Sequence, residues 1–464
     1  MRTIHHLCFR LGLALLTIAG VSYAQEIPDF RDLENVVREE LRETNVPGAA
    51  VAVIRGDRVL FAKGFGVANV ETGEPVTTGR LFQVGSVTKT LTAAALVSIA
   101  EQGKVRLDAP IGSYLNGFGP RLSQVTLHQL LSQTSGLRDV PGQAGLHDEA
   151  ALGDSVRSWK DDVFLLDGGK AFSYSNLGYA LAGYVLERVT GKPYADAMRE
   201  ILFDPLGMTR STFRPTMAMT HPLVLGHSAE GREKPSVARP MADDTRLWPA
   251  GYLFASLDDL ARFVIALMND GRVDGRQALP RGVGAKMLVP RIEIPTNVFV
   301  HGQYGYGLFL HDRYRQRTAF HPGTSPGYTA EIRMVPEQSA AVILLSNLNG
   351  ARLEKTFSKA FELLLPLEEA PRTPSRPALT MTEEEMRRYA GTYSNRWDMD
   401  VFVRDGKLFL RRFGEELPVT KIGENRFSVH PEGLPNAQEF VIVPGADGRP
   451  GYLQMFLWVF KKEK

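Results

Sequence analysis

A serine and a lysine lie three residues apart in the segment Gly85-Ser86-Val87-Thr88-Lys89, a spacing suited to nucleophilic catalysis. A serine hydroxyl is a poor nucleophile at neutral pH and needs a base within hydrogen-bond distance. The apolar run at residues 91–97 predicts a helix that begins near Ser86, and residues three apart share one face of a helix. Apolar surroundings disfavour an ammonium and lower the pKa of a lysine. The spacing therefore indicates Ser86 as nucleophile and Lys89 as its base.

The start of this predicted helix offers a second catalytic feature. Free backbone N–H groups and the positive end of the helix dipole meet there, where they stabilise a developing oxyanion. The chain contains no other Ser-x-x-Lys, yet so short a pattern also fits a helix cap followed by an exposed lysine. Further segments decide between these two interpretations.

Three more segments follow in order along the chain, each rich in small polar or aromatic residues. They are Leu130-Leu131-Ser132-Gln133-Thr134-Ser135-Gly136-Leu137, Phe172-Ser173-Tyr174-Ser175-Asn176-Leu177-Gly178-Tyr179 and His321-Pro322-Gly323-Thr324. Together with the Ser86 segment they resemble the β-lactamase and penicillin-binding-protein superfamily, closest to its class C branch. They are also similar to segments of D-aminopeptidases and related esterases. The resemblance covers residues 47–365.

The resemblance implies a fold and a set of roles. The fold is a mixed α/β domain whose antiparallel sheet abuts an all-helical region, with the active site between them. Ser86 becomes the nucleophile, Lys89 its base, and Tyr174 the group that shuttles protons to the leaving group and activates the deacylating water. The implied substrate-binding residues are Asn176, His321, Gly323 and Thr324, with the backbone N–H groups of Ser86 and Thr324 forming the oxyanion hole. How the general-base role is divided between Lys89 and Tyr174 stays open.

Two features depart from the family pattern. A second Tyr-x-Asn occurs at Tyr114-Leu115-Asn116; Tyr174 is preferred because it precedes a strong helix, and Tyr114 is expected to pack in the core. His321 stands where many β-lactamases have lysine, and a neutral imidazole holds a carboxylate less strongly than an ammonium does. D-aminopeptidase-like relatives also have histidine there, so β-lactams, D-amino-acid peptides and esters all remain candidate substrates.

Two segments and the histidines of the sequence also allow other interpretations. Gly323-Thr324-Ser325-Pro326-Gly327 fits the Gly-x-Ser-x-Gly elbow of α/β-hydrolases, but that elbow must join a strand to a helix, and residues 328–335 read as a strand. A non-turnover penicillin-binding or sensor module is the alternative of another class, because such sensors keep the serine and lysine and fail to deacylate. The scattered histidines show no paired metal-binding spacing, so we expect neither a metal nor another cofactor.

The predicted elements before residue 366 place strands at both ends of the domain and helices between them. Gly56-Asp57 between two apolar runs is a hairpin signal. Strands are predicted at 48–54, 59–65, 306–311, 330–335 and 341–346, and helices at 86–102, 126–132, 177–190 and 257–269. This order favours an α/β fold with one antiparallel sheet against a helical region, without regular β-α-β alternation.

The remaining chain divides into segments of different character. We predict a signal peptide at 1–24, the hydrolase domain at 25–365, a proline-rich linker at 366–379 and an all-β domain at 380–464. Strands at 400–404, 407–411, 426–430, 439–443 and 453–460 predict a small, possibly lipocalin-like barrel. We read this domain as a structural or substrate-gating element.

The composition and the N-terminal segment limit the classes of partner and the cell compartment that we expect. Cleavage after Ala24 would export the protein to the periplasm or the medium and would remove Arg2 and Arg10, leaving 52 basic residues of 54 against 52 acidic ones. A near-neutral chain argues against nucleic-acid or membrane binding and leaves a small-molecule or peptide acyl substrate as the partner. Cleavage would also remove Cys8, the single cysteine, which excludes disulfides and a cysteine nucleophile. The oligomeric state is not specified by the sequence.

Overall fold

The computed structural model describes residues 28–140, 142, 145–229, 234–295, 302–313, 315–366, 376–433 and 436–463. The predicted signal peptide at 1–24 lies outside these residues, as does most of the predicted linker. The domain boundaries drawn from the sequence therefore stay predictions.

Strands dominate both ends of the first domain. In the described part of the chain before residue 367 they are β1 (Gly48–Arg55), β2 (Arg58–Gly66), β3 (Leu81–Gln83), β4 (His227–Ser228), β5 (Ser236–Val237), β6 (Phe254–Ser256), β7 (Arg272–Val273), β8 (Arg276–Gln277), β9 (Ile292–Ile294), β10 (Gly302–Tyr304), β11 (Phe309–Arg313), β12 (Gln316–Ser325), β13 (Tyr328–Val335) and β14 (Ala340–Ser346).

Most of the α-helices of the described chain lie between β3 and β9 in the sequence. The described helices are α1 (Arg31–Glu43), α2 (Thr88–Glu101), α3 (Pro120–Ser123), α4 (Leu127–Leu131), α5 (Ala151–Ser158), α6 (Asn176–Thr190), α7 (Tyr194–Met198), α8 (Asp204–Leu206), α9 (Pro215–Ala218), α10 (Leu257–Met268), α11 (Val283–Met287), α12 (Glu354–Leu364) and α13 (Glu383–Tyr389). The ends of α6 carry the residue types that usually cap helices. The Ser175 side chain accepts the Gly178 N–H at its start, and Gly191, with φ of 67°, ends it.

The main sheet is antiparallel and has the strand order β2-β1-β14-β13-β12-β11-β10-β9. The β1–β2 hairpin turns through Gly56 and Asp57, with Arg55 paired to Arg58, as the sequence predicts. Alternate residues of β1 point to opposite faces, and both faces are buried. One face packs on α1 and α12, and the other on the core that contains α2, α6 and α10. The predicted α/β class and the antiparallel sheet beside a helical region are confirmed.

α2 is the central helix of this core. Its side chains from Thr88 to Ile99 are all buried, so the helix is covered on every side rather than on one stripe. The β12–β13 hairpin contacts the turn immediately before α2. The helical region and the sheet therefore meet at the residues that the sequence singles out.

The C-terminal domain is a nine-stranded antiparallel sheet of described residues that curls into a nearly closed barrel. Its strands are β15 (Gly391–Ser394), β16 (Asp398–Arg404), β17 (Lys407–Arg412), β18 (Glu415–Pro418), β19 (Thr420–Lys421), β20 (Arg426–Val429), β21 (Gln438–Pro444), β22 (Pro450–Met455) and β23 (Trp458–Lys462). The edge strands β18 and β19 are separated only by Val419, whose N–H donates to the Leu408 carbonyl. The expectation of a small all-β barrel is confirmed.

Two predicted strands differ from the structure. The single strand predicted at 453–460 is wrong, because Phe456 and Leu457 form a turn between β22 and β23, with φ of 55° at Phe456. This turn lacks the glycine, proline, asparagine or aspartate that marks most turns, and contacts with the first domain hold it instead. The strand predicted at 306–311 begins later, at Phe309, because Gly305 to Leu308 form a turn that includes Gly307 with φ of 68°.

Candidate active site

Ser86 lies on a tight turn, Gly85–Val87, that leads directly into α2. Gly85 has φ of 52°, and a Cβ there would lie 2.6 Å from the Thr324 nitrogen. A Cβ on Gly323 would lie 2.0 Å from the Val84 carbonyl oxygen and 3.0 Å from the Ser86 nitrogen. Only glycine at both positions lets the serine turn and strand β12 approach so closely.

The Lys89 ammonium position is surrounded by oxygen acceptors. Its side chain is fully buried, and Nζ lies 3.2 Å from the Ser86 Oγ and 2.7 Å from the Asn176 Oδ1. A third acceptor, the Ala250 carbonyl oxygen, lies 2.6 Å away. A protonated lysine would donate to all three, whereas a neutral amine would donate to the two closer acceptors. The neutral amine therefore keeps its lone pair for the serine hydroxyl.

Burial makes that neutral form accessible near neutral pH. Desolvation lowers the pKa of Lys89 to about 7, against a smaller opposing effect from the Asp139 carboxylate. A general base works best when its pKa is near the operating pH. Lys89 thus combines the geometry and the protonation state that a base for Ser86 requires.

Tyr174 lies on the other side of the same lysine. Nζ is 4.7 Å from the centre of the Tyr174 ring. Burial raises the pKa of Tyr174 well above its usual value, so the side chain stays a neutral phenol. A neutral phenol in this position could donate or relay a proton but would not act as a phenolate base.

The loop that carries Tyr174 is held by the segment around Gln133. The Gln133 carbonyl accepts the Ser173 N–H at 2.8 Å, and its Oε1 accepts the Ser175 N–H at 2.8 Å. Asn176 begins α6, which places its side-chain oxygen against Lys89. The second sequence segment therefore acts as a support that fixes the third one against α2.

His321 sits on β12 inside an aromatic cluster. Only 1% of it is exposed, and its ring centre lies 5.2 Å from Phe309, 6.2 Å from Tyr304 and 6.3 Å from Tyr174. Nδ1 donates to the Pro322 carbonyl oxygen at 2.7 Å, which leaves Nε2 as an acceptor facing the Tyr304 hydroxyl. Burial lowers the pKa of His321 to about 3, with a smaller contribution from Lys89. The imidazole is neutral and offers no positive charge.

Two further residues of the β12 segment face the serine. Gly323 packs against the turn that contains Ser86, and Thr324 is exposed at the edge of the site. The Thr324 nitrogen lies close to Gly85, the residue that precedes Ser86, so the two backbone nitrogens are near neighbours. Two neighbouring backbone N–H groups could together hold an oxyanion.

Two residues of the competing interpretations lie elsewhere. The Tyr114 hydroxyl accepts the Arg106 N–H at 2.8 Å, and the ring packs partly buried against the core. Ser325 ends β12 and pairs with Tyr328 across the hairpin, so no helix follows it. Its Oγ has no hydrogen-bond partner among the described residues, and hence no base. The structure brings neither residue to Lys89.

Sequence reasoning missed the residues that the C-terminal barrel contributes. The Leu457 carbonyl accepts the Tyr174 N–H at 2.8 Å, and Asp139 accepts from Arg396 at 2.8 Å and from the Trp458 indole at 3.1 Å. Arg396 and Asp139 are 257 residues apart in the chain. No local pattern marks such a pair, because each residue alone reads as an ordinary surface charge.

The described residues contain no group of three or more His, Cys, Asp or Glu side chains arranged to hold a metal ion. Within the same ranges, no helix combines the length and apolar character needed to cross a bilayer.

Comparison with known proteins places this site in a family. The family profile described as Beta-lactamase matches residues 33–364. Penicillin-binding protein 4 of Amycolatopsis lactamdurans is 32% identical over 333 residues, which cover 70% of this chain and 86% of that protein. Protein flp of Staphylococcus aureus (strain N315) is 25% identical over 333 residues, and the match covers 70% of this chain but only 64% of the length of Protein flp.

A solved structure extends the likeness beyond the first domain. The crystal structure of SurE superposes with a TM-score of 0.77 at 26% identity and covers 93% of this chain and 98% of SurE. A second SurE structure, with D-Leu, superposes with a TM-score of 0.74. The likeness therefore includes the C-terminal barrel as well as the first domain.

Proposed function

The chain belongs to the β-lactamase family, and from this premise we propose that it is a serine hydrolase that cleaves acyl substrates through a Ser86 acyl-enzyme. The observation that carries the proposal is the buried Lys89, whose amine lies 3.2 Å from the serine hydroxyl while two closer acceptors take its N–H groups. A lysine whose pKa is held at about 7 in this position is a base for Ser86.

In the proposed acylation step, Ser86 Oγ attacks the substrate carbonyl carbon and its proton passes to Lys89. The new oxyanion is held by the backbone N–H groups of Ser86 and Thr324. Tyr174 then gives its hydroxyl proton to the leaving group, the carbon–leaving-group bond breaks, and the lysine ammonium returns a proton to the phenolate. The acyl group is left on Ser86, and Lys89 is neutral again.

Deacylation runs the same sequence with water as the nucleophile. A water proton passes to the Tyr174–Lys89 pair, and hydroxide adds to the acyl carbon. The bond to Ser86 Oγ then breaks, and a proton returns to that oxygen. The presence of Tyr174, buried and with its ring 4.7 Å from the Lys89 Nζ, supports turnover over a penicillin-binding or sensor module that stops at the acyl-enzyme.

The substrate class follows from the charge of the site. His321 is neutral and buried, so β12 supplies no ammonium to hold a substrate carboxylate. We propose esters and amides without a free carboxylate, including those of D-amino acids, as better substrates than penicillins or cephalosporins. The likeness to SurE, of which one structure is with D-Leu, supports the D-amino-acid class.

Export is part of the same proposal. The charged, apolar and small-residue order of residues 1–24 supports a periplasmic or secreted enzyme with a small-molecule or peptide acyl substrate. Cell fractionation of the full chain checks this independently, since a protein found only in the cytoplasm would contradict it.

The test of function is a substrate panel on parent, Ser86→Ala and Ser325→Ala enzymes. We expect p-nitrophenyl esters and D-amino-acid p-nitroanilides to be turned over, nitrocefin less well, and Ser86→Ala to lose at least ~10³-fold in kcat/KM. Ser325→Ala is the matched control and should stay active. Activity in Ser86→Ala with none in Ser325→Ala would move the nucleophile to Ser325, and a burst of one equivalent without turnover would show a sensor.

A further inference from the structure

The C-terminal barrel reaches the catalytic lysine through a chain of three contacts. Arg396 of the barrel donates to the Asp139 Oδ2 at 2.8 Å, and Asp139 Oδ1 accepts the Asn176 N–H at 2.9 Å. Asn176 Oδ1 in turn accepts from Lys89 at 2.7 Å. The barrel is therefore connected to the reacting serine by hydrogen bonds and not only by packing.

Given the proposed Ser86–Lys89 chemistry, we infer that Arg396 is a positioning residue, whose ion pair with Asp139 keeps Lys89 able to act as a neutral base. The Asp139 side chain is 1% exposed, and a carboxylate that is buried needs its charge compensated. Arg396 supplies that charge, and its guanidinium lies 5.1 Å from the Trp458 ring, whose indole N–H also donates to Asp139.

The charges of Arg396 and Asp139 predict the direction in which each residue shifts the pKa of Lys89. An uncompensated carboxylate stabilises a nearby ammonium and raises the pKa of the lysine. Asp139 already opposes the effect of burial on Lys89. The Arg396 guanidinium offsets that carboxylate, and its own positive charge also disfavours a second cation nearby. Both effects favour the neutral amine that removes the serine proton.

Other titratable groups near the lysine do not supply this charge. Tyr174 and Tyr179 present ring faces to Nζ at 4.7 and 5.7 Å, and Tyr304 lies beside His321. Burial raises the pKa of all three phenols and lowers that of His321, so these groups are neutral near pH 7. Arg138, next to Asp139 in sequence, directs its guanidinium to the Asp162 carbonyl.

The same part of the barrel also fixes the loop that holds Tyr174. Gln454 donates to the Phe172 carbonyl at 3.0 Å, the Val459 N–H lies 3.4 Å from the Ser173 Oγ, and the Leu457 carbonyl takes the Tyr174 N–H. Removal of the whole barrel would disturb both effects at once. Single substitutions at Arg396 and Asp139 separate the charge from the docking.

The experiment measures the pH dependence of kcat/KM for a neutral p-nitrophenyl ester in the full chain, between pH 5 and 9. The acidic limb of this pH profile reports the pKa of Lys89. We expect Arg396→Met to shift the limb to higher pH by roughly one unit and Asp139→Asn to shift it to lower pH by a similar amount. Arg396→Lys keeps the charge and should stay close to the parent. Arg404→Met is the control, because Arg404 pairs with Glu416 within the barrel at an exposed position.

Opposite shifts of the acidic limb in Arg396→Met and Asp139→Asn distinguish an effect of charge from the effect of a loosened interface between barrel and first domain. Loss of docking would hydrate Lys89 and move the limb up in both variants, so an upward shift in Asp139→Asn overturns the inference. Unmoved limbs in both variants also overturn it while leaving the nucleophile assignment intact, provided that Ser86→Ala is inactive. Activity in Ser86→Ala would instead contradict the proposed function itself.

Discussion

Replacing Lys89 with methionine tests whether the buried lysine is destabilised as a cation. Methionine has nearly the same length and shape but no charge, so the variant removes the ionisable group while keeping most of the packing. The Ser86→Ala variant above reports on chemistry, whereas this substitution reports on the free energy of unfolding. The expected difference between variant and parent depends on pH in a defined direction.

The direction follows from the lowered pKa of Lys89. Burial takes this pKa from 10.5 to about 7 in the folded protein, so the unfolded chain binds more protons between those values. Stability therefore rises with pH in this window. At pH 6 the ionisation of Lys89 costs the folded state about 5 kcal/mol, and at pH 10 it costs about 1 kcal/mol, at ~1.4 kcal/mol per pKa unit.

The assay is urea unfolding of parent and Lys89→Met at pH 6 and pH 10. The stability of the variant relative to the parent should fall by about 4 kcal/mol between the two pH values, because only the parent gains from losing the proton. Lys104→Met is the control, since Lys104 is exposed in the turn after α2 and its removal should leave the pH dependence unchanged. A relative stability that changes by less than about 1 kcal/mol would refute a pKa near 7 and with it the lysine base.

Two further predictions concern the groups around Lys89. Tyr174→Phe removes the hydroxyl proposed to relay protons beside Lys89 and should lower kcat by at least ~10²-fold, while Tyr114→Phe removes only a contact with the Arg106 backbone and should affect stability alone. Steady-state kinetics and thermal melting of both variants check this, and the reverse pattern would assign the relay to Tyr114. His321→Asn should leave the acidic limb of kcat/KM within a few tenths of a pH unit of the parent, because burial holds the pKa of His321 at about 3. A limb that disappears in this variant would make His321 the titrating group.

Much of the local structure was predictable because short patterns specify it. The Gly56-Asp57 turn fixes the β1–β2 hairpin, and the helix of residues 176–190 ends at Gly191, where a left-handed backbone conformation favours glycine. Helix α1 was not predicted, although its buried Leu33, Val37 and Leu41 recur at helical spacing and mark its inner face. Strand β12 was also missed, because its proline and glycine residues argue against a strand.

The sequence by itself determined the candidate chemistry of this protein: a serine and a lysine three residues apart at the start of a helix, and a tyrosine and an asparagine at the start of a second helix. The sequence predicted a lowered pKa for Lys89, but only the tertiary structure decided how far it falls, since the desolvation comes from elements throughout the first domain. It also decided that the turn at Phe456 and Leu457 exists, and that Arg396 lies against Asp139. Local patterns specify turns and helices because their hydrogen bonds are local, whereas burial and charge pairing depend on residues that meet only in the folded chain.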